Sequence, residues 1–409
     1  MIIQIIRHGA RIGHTGPKQL IISPNLPSAN DSFETLEKDL QEQKAHHRLM
    51  PVPTPGERFI CSPLRLVPKS TNAWRRIHHL SFPPGRSVND YIPPDWGTSE
   101  YTSFDDAVAM VAAAGQGAIL IKRDLADAFR HIPVAPEDYW LLGFSWNNKY
   151  WTDCFLPFGL RTSPFLFDLF AKGLHFMVEA APVIRQNFLV IHYLDDFFAA
   201  GCPGVNPDIY ESRFSSICST LGIRIKESKS ITGIKADING IEFDTLAMEA
   251  RLPLQKLTKA RELVASFVRQ KTTTLQELQS LTGYLSFCAK VIPVDRSFLR
   301  HLYDAKCQHQ TKGGSPQAQD DQDDQEDQDA RSPLPPTCGQ TSAGDTNFCR
   351  NGTAYHSYTK SGPSGMSGQT PPVQKDKVPS SQLQEWTTMQ SLGSKLSPKT
   401  FPATIEARI

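Results

Sequence analysis

From Gly56 to about Asp304 short apolar runs alternate with polar punctuation, and the pattern predicts closely spaced strands and helices. "FICSPLRLVPK" and "WRRIHHLSF" read as two strands about a polar turn at Ser70-Thr71-Asn72. "GAILIKRDL" (Gly117–Leu125) reads as a strand that ends in an aspartate. "DYWLLGFSWNNKYWTDCFLPFG" predicts two strands about Trp146-Asn147-Asn148-Lys149, a hairpin signal. "NFLVIHYL" and "FFAAG" are two further strands, and Gly240–Pro253 is another hairpin. Helical spacing marks Asp31–Ala45, where Phe33, Leu36 and Leu40 share a face and Asp31 or Ser32 can cap. Phe104–Ala114 reads as a helix capped by Ser103, and Ser163-Pro164 opens one through "FLFDLFAKGLHFMVEA". Asp208–Thr220 is helical too. Leu254, Leu257, Leu263, Val264 and Phe267 then form one stripe, and a capping box at Thr274–Glu277 opens a last helix carrying Leu278, Leu281 and Leu285.

The pattern stops after Cys307. "QAQDDQDDQEDQDARSPLPP" is acidic and of low complexity, and the Ser-, Gly-, Pro- and Gln-rich remainder predicts disorder to Ile409. That tail accounts for a hydrophobic fraction of only 39% in 409 residues. A formal net charge of +1 gives no overall basic signature, so any nucleic-acid surface has to be local. Cys61, Cys154, Cys202, Cys218, Cys288, Cys307, Cys338 and Cys349 form no C-x-x-C pair and read as reduced thiols of an intracellular protein. Met1–Ile6 is too short for a signal peptide, and no apolar run spans a membrane. Cytoplasm and nucleus both fit.

Candidate chemistry starts at "HYLDDFF", His192–Phe198. Two aspartates inside apolar strand are ordinarily a turn. Asp124, ending a separate apolar strand, changes that reading: if the two strands are neighbours, Asp124, Asp195 and Asp196 converge. Such carboxylates hold Mg2+, and two ions roughly 4 Å apart stabilise attacking and leaving oxygens at phosphorus. Gly159, before a helix, either lets backbone approach a ligand or simply makes a turn. Lys69, Arg75 and Arg76 surround the first hairpin and suit a triphosphate; Lys226 and Lys229 are further cations, and solvated surface charge is the plain alternative for all five. Arg123 precedes Asp124, and strand alternation sends the two side chains to opposite faces. An arginine on the packed face then needs a partner.

In order, Asp124-Leu125-Ala126-Asp127-Ala128-Phe129, Leu156-Pro157-Phe158-Gly159-Leu160 with Ser163-Pro164, Tyr193-Leu194-Asp195-Asp196, Lys229 and Gly240-Ile241-Glu242-Phe243 resemble the motifs of reverse transcriptases. "RLVPK", "LSFPPGRSVND", "DLADAFRHIPV", "LLGFSW", "MEARLP", "LQELQSLTGYLSF" and "ISPNLPSA" resemble most the polymerases of DIRS-like (tyrosine-recombinase) retrotransposons, over roughly Arg7–Ala305. The resemblance implies an α+β right-hand polymerase, with fingers, an antiparallel RNA-recognition-like palm sheet packed by helices, and a helical thumb. Residues 1–50 would be an N-terminal extension, 51–250 fingers and palm, 251–306 thumb, and 307–409 the disordered tail. It also implies an RNA-directed DNA polymerase that extends a DNA or RNA primer on an RNA template with deoxynucleoside triphosphates, using two Mg2+ ions, or Mn2+ in their place. Asp124, Asp195 and Asp196 would bind the metals. Phe129 would exclude a 2′-hydroxyl, and Phe158 and Gly159 would face nucleotide and template. Lys69 and Arg75 would hold the triphosphate, Lys229 would protonate pyrophosphate, and Gly240–Phe243 would grip the primer.

Relatives in this group continue into RNase H and recombinase regions, for which no residue pattern follows Cys307. "QEQKAHHRLMPVP" also replaces a small-residue approach to the fingers. Arg123, where that group usually carries a small apolar residue, and the truncated tail argue for the rival expectation, a truncated, catalytically dead remnant that at most binds nucleic acid. A DNA-templated or RNA-synthesising polymerase on the same fold is the third.

Overall fold

The computed structural model describes residues 2–70, 73–270, 272–292, 295–312 and 406–408. Ile231–Gly233, Ile119–Asp124, Asp196–Gly201 and Phe188–Tyr193 form one antiparallel sheet in that spatial order. Within the two central strands Ile119–Ile121 and Phe197–Gly201 are continuous apolar stretches because both of their faces are covered. On one face Ile121, Phe197 and Ala199 pack with Phe167 and Ala171 of the helix Ser163–Glu179 and with Tyr210 and Phe214 of Asp208–Thr220. On the other, Leu120, Phe198 and Ala200 pack with Met110 and Val111 of the helix Phe104–Ala114 and with Ile241 and Phe243 of a neighbouring hairpin. Each fully buried phenylalanine contributes about 1.5–3 kcal/mol, so the strands between these two cores are held from both faces.

A second sheet, in the order Leu20–Ile22, Phe59–Cys61, Gly143–Trp146, Lys149–Asp153, Leu49–Val52, stands beside a separate hairpin, Leu64–Ser70 with Ala73–His78. The predicted single strand "FICSPLRLVPK" is thus two strands in different sheets. Pro63 breaks it, since proline cannot donate to a ladder. The second predicted strand, "WRRIHHLSF", ends at His78. The Asn147-Asn148 turn has φ of +53° and +55°, the conformation a two-residue hairpin loop needs, which asparagine tolerates.

Ser103 and Asp106 close a capping box on Phe104–Ala114, as do Thr274 and Glu277 on Leu275–Cys288. Ser32 caps Phe33–Ala45 by position but without a side-chain hydrogen bond. Ser163 lies inside its helix, and its hydroxyl donates to the Pro157 carbonyl instead of capping. Leu254–Arg269 and Leu275–Cys288 are followed by a helix the sequence pattern does not foresee at this length, Asp295–Lys312. Its buried Leu299, and Tyr303, whose hydroxyl meets Ser286 Oγ at 2.6 Å, tie it to Leu275–Cys288 and carry it past Cys307. The disorder expected from Cys307 is therefore corrected at both ends. The helix runs to Lys312, and Glu406–Arg408 pairs antiparallel with Glu249–Arg251, while residues 313–405 lie outside the described residues. Cys61, Cys154, Cys202 and Cys218 are free thiols. No helix among the described residues is long and apolar enough to cross a membrane.

Candidate active site

Asp196 lies opposite Asp124 on the neighbouring strand and opposite Tyr193 across its own hairpin. The Leu194-Asp195 tip is tight enough to hold Leu194 at a φ of +52°, a conformation that costs a leucine about 1–2 kcal/mol. The buried strands on either side impose it. The Leu125 amide donates to the Asp195 carbonyl at 3.0 Å, and the Lys226 amide donates to the Asp124 carbonyl at 2.7 Å. The segment after the helix Asp208–Thr220 is thereby laid along the end of the Asp124 strand. That brings Lys229 Nζ to 2.6 Å from Asp124 Oδ2.

Three carboxylates on one sheet edge repel one another. Burial, then Asp124, raises the Asp195 carboxyl above the ordinary carboxylate range. Burial raises Asp196 to about 7; Lys122 opposes the shift and Asp195 and Asp124 add to it. Burial works against the Lys229 charge, but the hydrogen bond to Asp124 and the three carboxylates outweigh it and hold Lys229 above its usual range. Asp196 Oδ1 is buried with no hydrogen-bond partner. No group of three His, Cys, Asp or Glu side chains among the described residues is placed as it stands to hold a metal ion. The donor chemistry still fits a hard divalent cation: an all-oxygen set, raised carboxyls and a lone pair with nothing to accept from.

The raised Asp196 value makes stability pH-dependent in metal-free protein. Its native carboxyl keeps a proton from about pH 4, where the unfolded group loses it, up to about pH 7. Native protein therefore loses stability as pH rises through that window. With chelator present, Asp196→Asn should stabilise the chain by on the order of 1–3 kcal/mol at pH 8 in urea unfolding, and the gain should shrink as pH falls from 7 to 4. Equal stability of the two proteins at pH 8 would contradict the assignment.

Phe129 packs its ring tilted against Phe158 at 4.9 Å and edge-on to Phe167 at 5.9 Å. The Arg75 guanidinium lies over the Phe158 ring, 4.6 Å from its centre, and Asp195 acts on its charge. Phe129, Phe158, Arg75 and the carboxylates therefore form one neighbourhood. Gly159 is required by the fold itself. Its φ is +105°, and a Cβ there would stand 2.0 Å from the His78 carbonyl oxygen. The His78 amide donates to the Phe158 carbonyl and Asn89 Nδ2 donates to that of Gly159, so this turn is sewn to the strand Ala73–His78. Lys69 lies on the strand Leu64–Ser70, and its side chain falls outside the described residues.

Arg76 does not join this group. It is buried and pairs with Asp39 at 2.7 Å and Asp153 at 3.2 Å, which removes it from the cations suited to a triphosphate. Arg123 lies on the face opposite Asp124, as alternation requires, and has the partners it needs. It reaches Glu211 at 2.7 Å, Thr232 Oγ1 at 3.1 Å and the Lys122 and Ile231 carbonyls. Arg123 therefore does not pair with Asp124.

Gly240 closes the hairpin Lys235–Ile238 with Ile241–Asp244, at φ +77° beside Asn239 at +51°. Ile241 and Phe243 are buried in the core, and Glu242 faces Arg251 at 3.8 Å. This tip and the carboxylate edge bound an open cleft of about 300 Å³ lined by Lys122, Asp196, Lys229, Ile231, Asp237, Asn239 and Gly240.

Two features escape sequence reasoning. Lys122 Nζ stands 3.5 Å from Asp196 Oδ2. Period-two counting back from Asp124 would have found it on the same face. Behind the hairpin, buried Asp168 binds Ser99 at 2.9 Å and Lys172 at 2.7 Å and faces His192 at 3.6 Å, and His192 meets His175 ring to ring at 2.8 Å. His192 also stacks on Phe197, so this polar set braces the strand that leads to Asp195. Only the fold brings its members together.

Residues 67–243 match the family model for reverse transcriptase (RNA-dependent DNA polymerase). This stretch is thus similar to reverse-transcriptase domains, and the chain is similar to the Pro-Pol polyproteins of foamy viruses. The chain is 22% identical over 302 residues to that of Simian foamy virus type 1, covering 72% of this chain and 23% of the relative. It is 25% identical over 244 residues to that of Feline foamy virus, covering 59% and 19%. It therefore spans less than a quarter of either relative's length. Among solved structures, the foamy viral protease-reverse transcriptase in complex with double-stranded DNA matches with a TM-score of 0.55 and 20% identity, over 73% of this chain and 47% of that one. The same kind of protein in complex with an RNA/DNA hybrid matches with a TM-score of 0.52 and 19% identity, over 74% and 36%. The mixed α/β fold, a multi-stranded sheet flanked by helices, matches the general fingers, palm and thumb architecture of these neighbours.

Proposed function

We propose that the chain is an RNA-directed DNA polymerase that adds deoxynucleotides to a primer 3′-hydroxyl. One observation carries this reading most: the pairing that sets Asp196 opposite Asp124, with Asp195 held to the same edge by its carbonyl. Two sequence-distant motifs become one anionic site. Asp124, Asp195 and Asp196 would hold two Mg2+ ions, which when bound supply charge neutralisation at the attacking and leaving oxygens. The remaining work is positioning. Arg75 would hold phosphate beside Phe158, and Phe129 would close the floor beneath the sugar. To protonate pyrophosphate, Lys229 would first have to leave Asp124. Gly240–Phe243 would support the primer. In this reading residues 51–250 are fingers and palm, and the thumb begins at 251.

We infer further that the source is a DIRS-like retrotransposon, which rests on the sequence segments alone. The matches reported above are to viral polyproteins. For the inactive-remnant reading, Arg123 was a ground, and its pairing with Glu211 removes it.

Primer extension on an RNA template with Mg2+ and deoxynucleotides tests the proposal. Salt-sensitive binding of template-primer with no nucleotide added by well-folded protein would favour the remnant instead. Phe129→Ala should relax sugar choice, raising ribonucleotide use relative to deoxynucleotide by about tenfold or more. An unchanged ratio would remove Phe129 from the sugar gate.

A further inference from the structure

Lys122 has no part in the roles proposed above, yet it is nearly buried. Its side chain is 13% exposed, on a strand between two cores. It shares a face with Asp124 two residues on, and lies opposite Phe198, with Nζ 5.2 Å from that ring's centre. A lysine so placed needs an anion, and Asp196 Oδ2 at 3.5 Å provides it. Lys229 serves Asp124 in the same way at 2.6 Å, and both lysines line the cleft beside Gly240. Two of the three carboxylates thus each carry an ammonium group, and Arg75 acts on the third.

We infer that Lys122 is a built-in counter-cation of Asp196 that weakens the binding of free divalent metal, making metal occupancy depend on nucleoside triphosphate. The inference rests on the metal-site reading of the three aspartates. A fixed positive charge next to Asp196 repels an arriving cation and competes for one carboxylate oxygen. A triphosphate supplies the negative charge that the lysine has cancelled. Lys122 is in this sense a positioning and selectivity residue, acting through Asp196.

The test is Mn2+ binding to the full chain without nucleotide, followed by the electron paramagnetic resonance signal of free Mn2+. Lys122→Met should tighten Mn2+ by about tenfold. Lys122→Arg, which keeps the charge, should stay within about threefold of the parent. Adding deoxythymidine triphosphate should narrow the gap between parent and Lys122→Met. Lys122→Gln gives the same comparison should the methionine variant fold poorly. Unchanged or weaker Mn2+ binding in both neutral variants overturns the inference. If that outcome comes with a salt slope for template-primer binding that is lower by about one, the lysine is a phosphate contact instead. Should Asp195→Asn/Asp196→Asn leave parent Mn2+ binding unaltered with and without nucleotide, the metal-site reading itself fails, and that result is distinct from a failure at Lys122.

Discussion

Asp195→Asn/Asp196→Asn should reduce primer extension by at least about 10³-fold while the protein stays folded and binds template-primer. The asparagines have nearly the same shape, so the hairpin keeps its register. What goes is the negative charge that divalent cations require. The same exchange should leave metal-free protein as stable as the parent or more so, because burial and mutual repulsion raise both carboxyls in the native state. Loss of activity with gain of stability is the signature of a site strained for function. The single variants should differ. Asp196 is already engaged by Lys122, so Asp195→Asn should be the more damaging of the two. Single-turnover extension beside urea unfolding measures both effects. Undiminished extension by the double variant would defeat the proposed chemistry.

The second large effect is structural. Asp153→Asn should destabilise the protein by about 3–5 kcal/mol. Asp153 is fully buried at the end of the strand Lys149–Asp153 and accepts from Arg130 at 2.6 Å and Arg76 at 3.2 Å, with Arg76 also bound to Asp39. Burial alone would raise its carboxyl, but Arg130 and Arg76 outweigh that and hold it below the ordinary range. An amide would leave two buried guanidiniums short of charge. Because the native value is depressed, the stabilisation is fully present near neutrality and is lost only as pH falls through that depressed value. Urea midpoints at pH 7 provide the measurement, and a loss under about 1 kcal/mol would show that the arginines find other partners.

Arg75 and Arg76 illustrate what can be read without a structure. Side by side in one predicted strand, they look equivalent, yet one lies over Phe158 and the other is locked in the core. The distinction comes from Asp39 and Asp153, far along the chain, and no local pattern announces it. Asp124, Asp195 and Asp196 were legible for the opposite reason. Asp195 and Asp196 interrupt an apolar run and Asp124 ends another strand, a pair of local anomalies that together point beyond an ordinary turn. The Asn147-Asn148 turn and the Thr274–Glu277 box were legible because their chemistry is complete within a few residues. Gly159 was half legible: its need for positive φ suits a turn, while the carbonyl that excludes a side chain belongs to His78. The brace of Asp168, His175 and His192 joins a helix to a strand: Asp168 and His175 share a helix face by their spacing, but nothing local points either of them to His192.

The partners of Arg123 also bear on how the sheet finds its pairing. Sliding the strand Ile119–Asp124 by one residue would turn Lys122 and Asp124 into the helix-packed core and send Arg123 toward the cleft. Lys122 would lose Asp196, Asp124 would lose Lys229, and Arg123 would lose Glu211. Every misaligned alternative thus strands three charges at once, while its apolar neighbours, much alike on both faces, would barely object. The ionic side chains of this strand act as a register key: they discriminate against mispairing where hydrophobicity cannot, and the correctly zipped sheet is the one that assembles the carboxylate edge.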